Sequence, residues 1–205
     1  MKDVTWRLGV DAALALANTI HGPGSHYRRR ASADEPAHDH LDTAERAIEF
    51  LGSHDVPLPR GDPSRADLAR LRDIRTAARS LLGLPPSDAP GWAAAMMRRL
   101  NGTTYRFDAE ARLLAAAPGW PGLADELVTA VLALAHERER LTSCGNPLCG
   151  WLFVDRSRNR SRVWCEMAVC GNRVKVGRHR RAARRDAPTD RVGRTGSCRA
   201  RSGGS

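Results

Sequence analysis

Four cysteines stand in two pairs of equal internal spacing, Cys144 with Cys149 and Cys165 with Cys170, with fifteen residues between the pairs. Thiolates are strong zinc ligands, and four of them complete a closed tetrahedral shell. No position is then left for a reacting water, so the site reads as one structural zinc rather than a catalytic one. Gly145, Pro147 and Gly150 let the first loop turn back on the metal, and Trp151, Phe153 and Trp164 supply aromatic packing. A segment this short cannot build a sufficient core alone, and metal binding worth about 10–16 kcal/mol in comparable peptides would supply the difference. Disulfides would need an oxidising compartment, and the amino end, with Arg7 and Asp11 inside its apolar run, lacks the order of a secretory signal. Cytoplasmic residence is therefore expected, nucleoid-associated if DNA is bound. The fifth cysteine, Cys198, reads as an incidental exposed thiol of the tail.

The same region collects the positive charge. Of the net +10, residues 1–140 carry 18 Lys+Arg against 19 Asp+Glu, and residues 141–205 carry 15 against 4. Arg156, Arg158, Arg160 and Arg162 alternate along the segment between the cysteine pairs. A helix expected after Cys170 bears Arg173, Lys175, Arg178, Arg180, Arg181 and Arg184. If the second pair anchors the start of that helix, as in treble-clef-like zinc folds, the helix is aimed rigidly. It could lie in a DNA major groove while the basic loop holds phosphates. Structured RNA or a ribosomal surface is the competing partner, because Arg/Ser/Gly flanks suit it as well. A third reading makes the thiols a redox or metal sensor.

These residues carry a resemblance. Cys144-Gly-Asn-Pro-Leu-Cys149, then Trp164-Cys165-Glu-Met167, then Cys170-Gly171-Asn172-Arg173 look like the CGNR zinc-finger family over about residues 140–185. Val163 departs from the pattern, which commonly has a basic residue there. Upstream, Asn18-Thr19 and Leu71-Arg72-Asp73-Ile74-Arg75 resemble the amino-terminal stress-induced transcription regulator domain, ABATE, usually found with this finger. The resemblance implies transcription regulation, stress response and DNA binding.

The elements that must position the module read as mainly α with a small β hairpin: a helical domain over 1–140, the zinc module over 141–185, and a disordered basic tail over 186–205. Helices are expected at Leu8 to Ile20, about Asp39 to Leu51, Ser64 to Leu82, Gly91 to Leu100, and from Pro121 to about Arg138. Ser64 and Asp67 have the spacing of a capping box. Residues 25–40 read as a polar loop, and Thr103–Phe107 with Arg112–Leu114 as a hairpin. No stretch is apolar enough for a membrane span. The seven histidines make no metal-ligand spacing on one helix, His38 and His40 lying two apart in or near a loop. No phosphate loop or nucleophile elbow appears, so an enzyme is not expected. Asn18, Thr19, Arg72 and Arg75 lie in or beside apolar stripes. They are candidates for the pocket of a small-molecule effector, with an internally satisfied cluster as the alternative. The helical domain would serve sensing or homodimerisation.

Overall fold

The computed structural model describes residues 5–23, 25 and 36–185; the expected disordered tail lies outside them. Three of the first four helices pack against the fifth. α1 (Val10–Ala17), α2 (Ala44–Gly52), α3 (Arg65–Ser80) and α4 (Ala89–Arg99) precede the long α5 (Gly119–His136). α5 is buried almost all round from Trp120 to Val131, as expected of a central helix rather than a surface one. Along α3, Leu68, Leu71, Ile74 and Ala78 recur at three- and four-residue steps and are buried together. Its start is the expected capping box: Ser64 Oγ accepts from the Asp67 amide, and the Asp67 carboxylate accepts from the Ser64 amide. No helix among the described residues is long and apolar enough to cross a membrane.

Two acids are buried inside α5, Asp125 and Glu126. Each is met by an arginine from elsewhere, Arg70 on Asp125 and Arg7 on Glu126 at 2.6 and 2.9 Å. Burying a carboxylate unpaired costs several kcal/mol, so these pairs permit the helix its central place rather than add much stability.

The strands are short. β1 (Thr5–Trp6) runs parallel to β5 (Arg112–Ala115), which pairs antiparallel with β4 (Tyr105–Phe107). The expected hairpin is present, closed by Asp108, whose carboxylate accepts from the Glu110 and Arg112 amides. The parallel partner β1 has no local sequence signal. One further ladder corrects the sequence reading. β2 (Ile20–His21) pairs with β3 (His38–Asp39) inside the span read as a loop, and the next helix begins at Ala44, not Asp39. Thr43 caps that helix through its hydroxyl, while Asp39 is drawn away to Arg75. α5 ends at His136, and a tight turn over Arg138–Arg140 leads into β6 (Leu141–Ser143), so the chain enters the zinc module as a strand. β6 pairs with β7 (Leu152–Val154), with Leu141 opposite Val154.

The last helix, α6 (Asn172–Arg185), follows a turn wound as a π-helix over Met167–Gly171. The whole is mainly α with small strand pairs and a four-cysteine module built from a β hairpin and a helix. One apolar core runs through it: Leu141, Trp151, Leu152 and Phe153 belong to the same buried cluster as Leu16, Phe50 and Leu127.

Candidate metal centre and nucleic-acid interface

The cysteines converge from two chain reversals. The first, Cys144 to Cys149, is folded by the β6–β7 pairing: Cys144 donates its amide to Trp151 and Gly145 donates to Val163, each at 2.8 Å. Gly145 is required by crowding, since a Cβ there would stand 2.7 Å from the Val163 side chain. The second ends in the π turn, where Cys170 donates its amide to Glu166 at 2.8 Å. All four sulfurs lie within 4.8 Å of one another and all four residues are buried. Separations of 3.7 Å for Cys149–Cys165, 3.6 Å for Cys165–Cys170 and 3.7 Å for Cys170–Cys149 decide the assignment. Four sulfurs about 2.3 Å from one zinc at tetrahedral angles stand roughly 3.7–3.8 Å apart. The residues fit one structural zinc.

Without the cation two of the thiols, those of the second pair, resist ionisation. Cys165 is driven upward by its hydrogen bond with Cys149, then by burial and the charges of the other cysteines. Cys170 is pushed up to about 12, first by burial and then by its neighbours' charge. A divalent cation reverses that balance, so zinc binding releases protons.

The basic loop is tied at both ends. Asp155, the one acid in it, accepts from the Ser157 amide at 2.8 Å and from the Arg162 amide at 2.9 Å. The Ser157 side chain's hydrogen bond first, then those amide bonds and the nearby Arg140, outweigh burial and hold its carboxyl below the usual range. Arg162 is spent on the fold: its guanidinium donates to the carbonyls of Trp164 and Cys165 and lies 4.6 Å over the Phe153 ring. Arg156, Arg158 and Arg160 stay exposed. Among the described residues their ion pairs are loose ones, Arg156 with Asp11 at 3.8 Å and Arg160 with Glu139 at 4.0 Å, which contribute little. On α6, Lys175, Arg178 and Arg180 are exposed, whereas Arg173 donates to the Ser25 carbonyl at 2.9 Å. The side chains of Arg181 and Arg184 lie outside the described residues. Asn172 donates to the Ala168 carbonyl, bridging the π turn to the helix.

The four effector candidates come together, engaged with one another and with the backbone. Asn18 donates to the Leu152 carbonyl at 2.9 Å and accepts from the Leu152 amide at 2.7 Å. Its side-chain amide thus acts as a one-residue strand beside β7. Arg75 grips the Asp39 carboxylate with both terminal nitrogens and also donates to the Thr19 hydroxyl. Burial would raise Asp39, but Arg75's hydrogen bonds and charge outweigh it and hold the carboxyl below its ordinary value. Arg72 donates to the Leu41 carbonyl. Arg79, which sequence reasoning passed over, adds bonds to the carbonyls of Ala17 at 2.9 Å and Gly150 at 3.1 Å. The Gly22 amide reaches the Cys149 carbonyl at 2.7 Å, so close that a Cβ on Gly22 would stand 2.2 Å from the Leu148 carbonyl oxygen. The helical part thus seizes the metal knuckle from behind.

Beside this contact lies a cluster that helical spacing could not reveal. His21 and His38 are cross-strand partners and His40 follows by two, just past the end of β3, and the three rings lie together with centroids 5.1–5.9 Å apart. His21 and His40 present their Nε2 atoms to each other at 3.0 Å, with Phe50, His54 and Trp151 around them. Burial, then the charges of His21, His38 and Arg46, lower His40 to about 4.

Against models of protein families, residues 11–144 match ABATE, described as "Putative stress-induced transcription regulator", and residues 140–184 match the CGNR zinc finger. No curated protein matches the chain.

Proposed function

The chain belongs to the ABATE family and carries a CGNR zinc finger behind that domain, and on this premise we propose a transcription regulator that binds DNA through the finger. The mounting of α6 carries the reading. The helix springs from the buried metal knuckle, and its Lys175, Arg178 and Arg180 face solvent with no ion pair among the described residues. In the helical part, by contrast, arginines are spent on buried acids. A helix fixed at one end by zinc and charged along its exposed face suits a major groove. Arg156, Arg158 and Arg160, on a loop pinned by Asp155, suit the flanking phosphates.

The helical body is the sensing part. Asn18, Gly22 and Arg79 couple it to the finger, so a shift of α1 against α3 moves β7 and the knuckle with it. No enzymatic step belongs to this reading.

The test is selection from a random duplex pool by the zinc-loaded chain, with an RNA pool run in parallel. Enrichment of duplex DNA alone is expected. Affinity should fall with salt at a log–log slope near 4–5, from about five phosphate contacts at ~0.9 each. Enrichment of RNA instead, or affinity indifferent to salt, overturns the reading.

A further inference from the structure

We propose that His21, His38 and His40 form a second metal site, distinct from the cysteine site, that takes a late first-row divalent cation such as zinc, cobalt or nickel. The β2–β3 ladder supplies the geometry. His38 on β3 lies directly across from His21, and His40 follows one residue past the end of β3, which gathers three imidazoles on one side of the ladder.

One pair stands at that spacing, and the third ring lies farther out and must turn to reach it. A metal–nitrogen bond of about 2.0–2.1 Å, plus the half-width of the ring, sets imidazole centroids roughly 5 Å apart around a tetrahedral ion. The centroids here are 5.1 Å apart for His21–His40, 5.7 Å for His38–His40 and 5.9 Å for His21–His38. His21 and His40 already bring their Nε2 atoms within 3.0 Å of each other, in a hydrogen bond that an ion would have to replace. His38, at the half-exposed rim, completes the set by turning inward.

Next to the ligand nitrogens the structure supplies an orienting contact. His21 Nδ1 lies 2.9 Å from Ser25 Oγ and 3.2 Å from the Gly22 carbonyl oxygen. A proton on Nδ1 donated to that carbonyl leaves the Nε2 lone pair for a metal, the usual way an outer partner fixes a ligating histidine. On binding, the hydrogen bond between His21 and His40 gives way. His40 moves its proton from Nε2 to Nδ1 through solvent, so two neutral imidazoles become ligands with no net proton release. Phe50, His54 and Trp151 wall the site on the protein side. The half-exposed side toward His38 leaves one coordination position to water or to a further ligand. Three borderline nitrogens select zinc, cobalt, nickel or copper over magnesium or calcium. The site stands whether or not the finger binds DNA.

The experiment uses the tag-free full-length chain, loaded with zinc at the cysteines and dialysed against micromolar free zinc. Bound metal is then counted by elemental analysis. Wild type should take up a second equivalent. His38→Ala and His40→Gln should weaken that equivalent by more than roughly 100-fold, beyond the 10–100-fold typical of a residue that only orients a ligand. Cobalt substitution controls for folding: the thiolate charge-transfer band should be unchanged in both variants, and the second cobalt should add only the weaker bands of a nitrogen site. If His40→Gln loses the thiolate band, His38→Ala at the rim decides. Wild type stopping at one equivalent, or a second equivalent retained in His38→Ala, overturns the site.

Discussion

The helical body and the zinc finger close their interiors by different means. In the body Phe50, Leu71, Ile74 and Leu127 are fully buried, and hydrocarbon burial at about 25 cal/mol per Å² does the closing. In the finger the centre is four sulfurs, with Trp151, Leu152, Phe153 and Val154 covering one side. Arginine is used differently too. Arg7, Arg70 and Arg75 are spent on Glu126, Asp125 and Asp39, so the body is electrically quiet inside and out. Arg156 and Arg160 meet acids only loosely, at 3.8 and 4.0 Å, and the finger keeps most of its charge for a partner. The contrast teaches that the body can lose a contact and remain folded, whereas the finger has one indispensable component.

The strongest way to break the comparison is to remove the metal. Cys165→Ser, or a tight chelator, should forfeit much of a binding energy of about 10–16 kcal/mol, and hydrogen exchange should show β6, β7 and α6 unprotected while α3 and α5 keep their protection. Acid should act in the same direction: each thiolate must shed a proton to bind zinc, so metal affinity falls as pH falls. Retained protection in β7 without metal would mean that the finger has a sufficient core of its own.

Leu71→Ala tests the opposite side. It should cost about 2–5 kcal/mol, read as a lower denaturation midpoint with zinc content unchanged. Next comes the seam. Asn18→Ala leaves the Leu152 amide and carbonyl without their partner, at about 1–3 kcal/mol for each buried group. Calorimetry should then show the single unfolding transition splitting in two. Asp39 sharpens the seam further. Its folded carboxyl lies below the ordinary value, so its contribution is present above about pH 4 and is lost as pH falls through the folded value. Arg75→Met should abolish that part of the acid dependence. The smallest effect on stability and the most selective on binding belongs to Arg178→Ala: unchanged melting, with a DNA salt slope lower by ~0.9 if the residue meets a phosphate.

Much of this was legible in the chain, for local reasons. Equal cysteine spacing announced the metal, and Ser64 with Asp67 announced the start of α3, because the partners sit within a few residues of each other. Asn18, Thr19 and Arg75 stood out as polar residues among apolar ones, but what they hold was not readable: Leu152 lies 134 residues from Asn18. β1 escaped for the same reason, its parallel partner β5 lying more than a hundred residues on. His38 and His40 were weighed against the helical period, whereas the pairing of β3 with β2 is what brings them beside His21. Arg162 read as one more cation in a basic run, and only the folded loop reveals it turned back on the Trp164 and Cys165 carbonyls.

The side-chain amide of Asn18, lying along β7 as a strand one residue long, bears on how such proteins can be recombined. A finger cut out and grafted to another body would expose the Leu152 edge that Asn18 now covers, and would lose the Gly22 and Arg79 contacts behind the knuckle. The graft would have to bring an asparagine, a glycine and an arginine in matching places. The finger and its body are therefore exchangeable only as a pair, despite meeting in sequence at a few residues near 140.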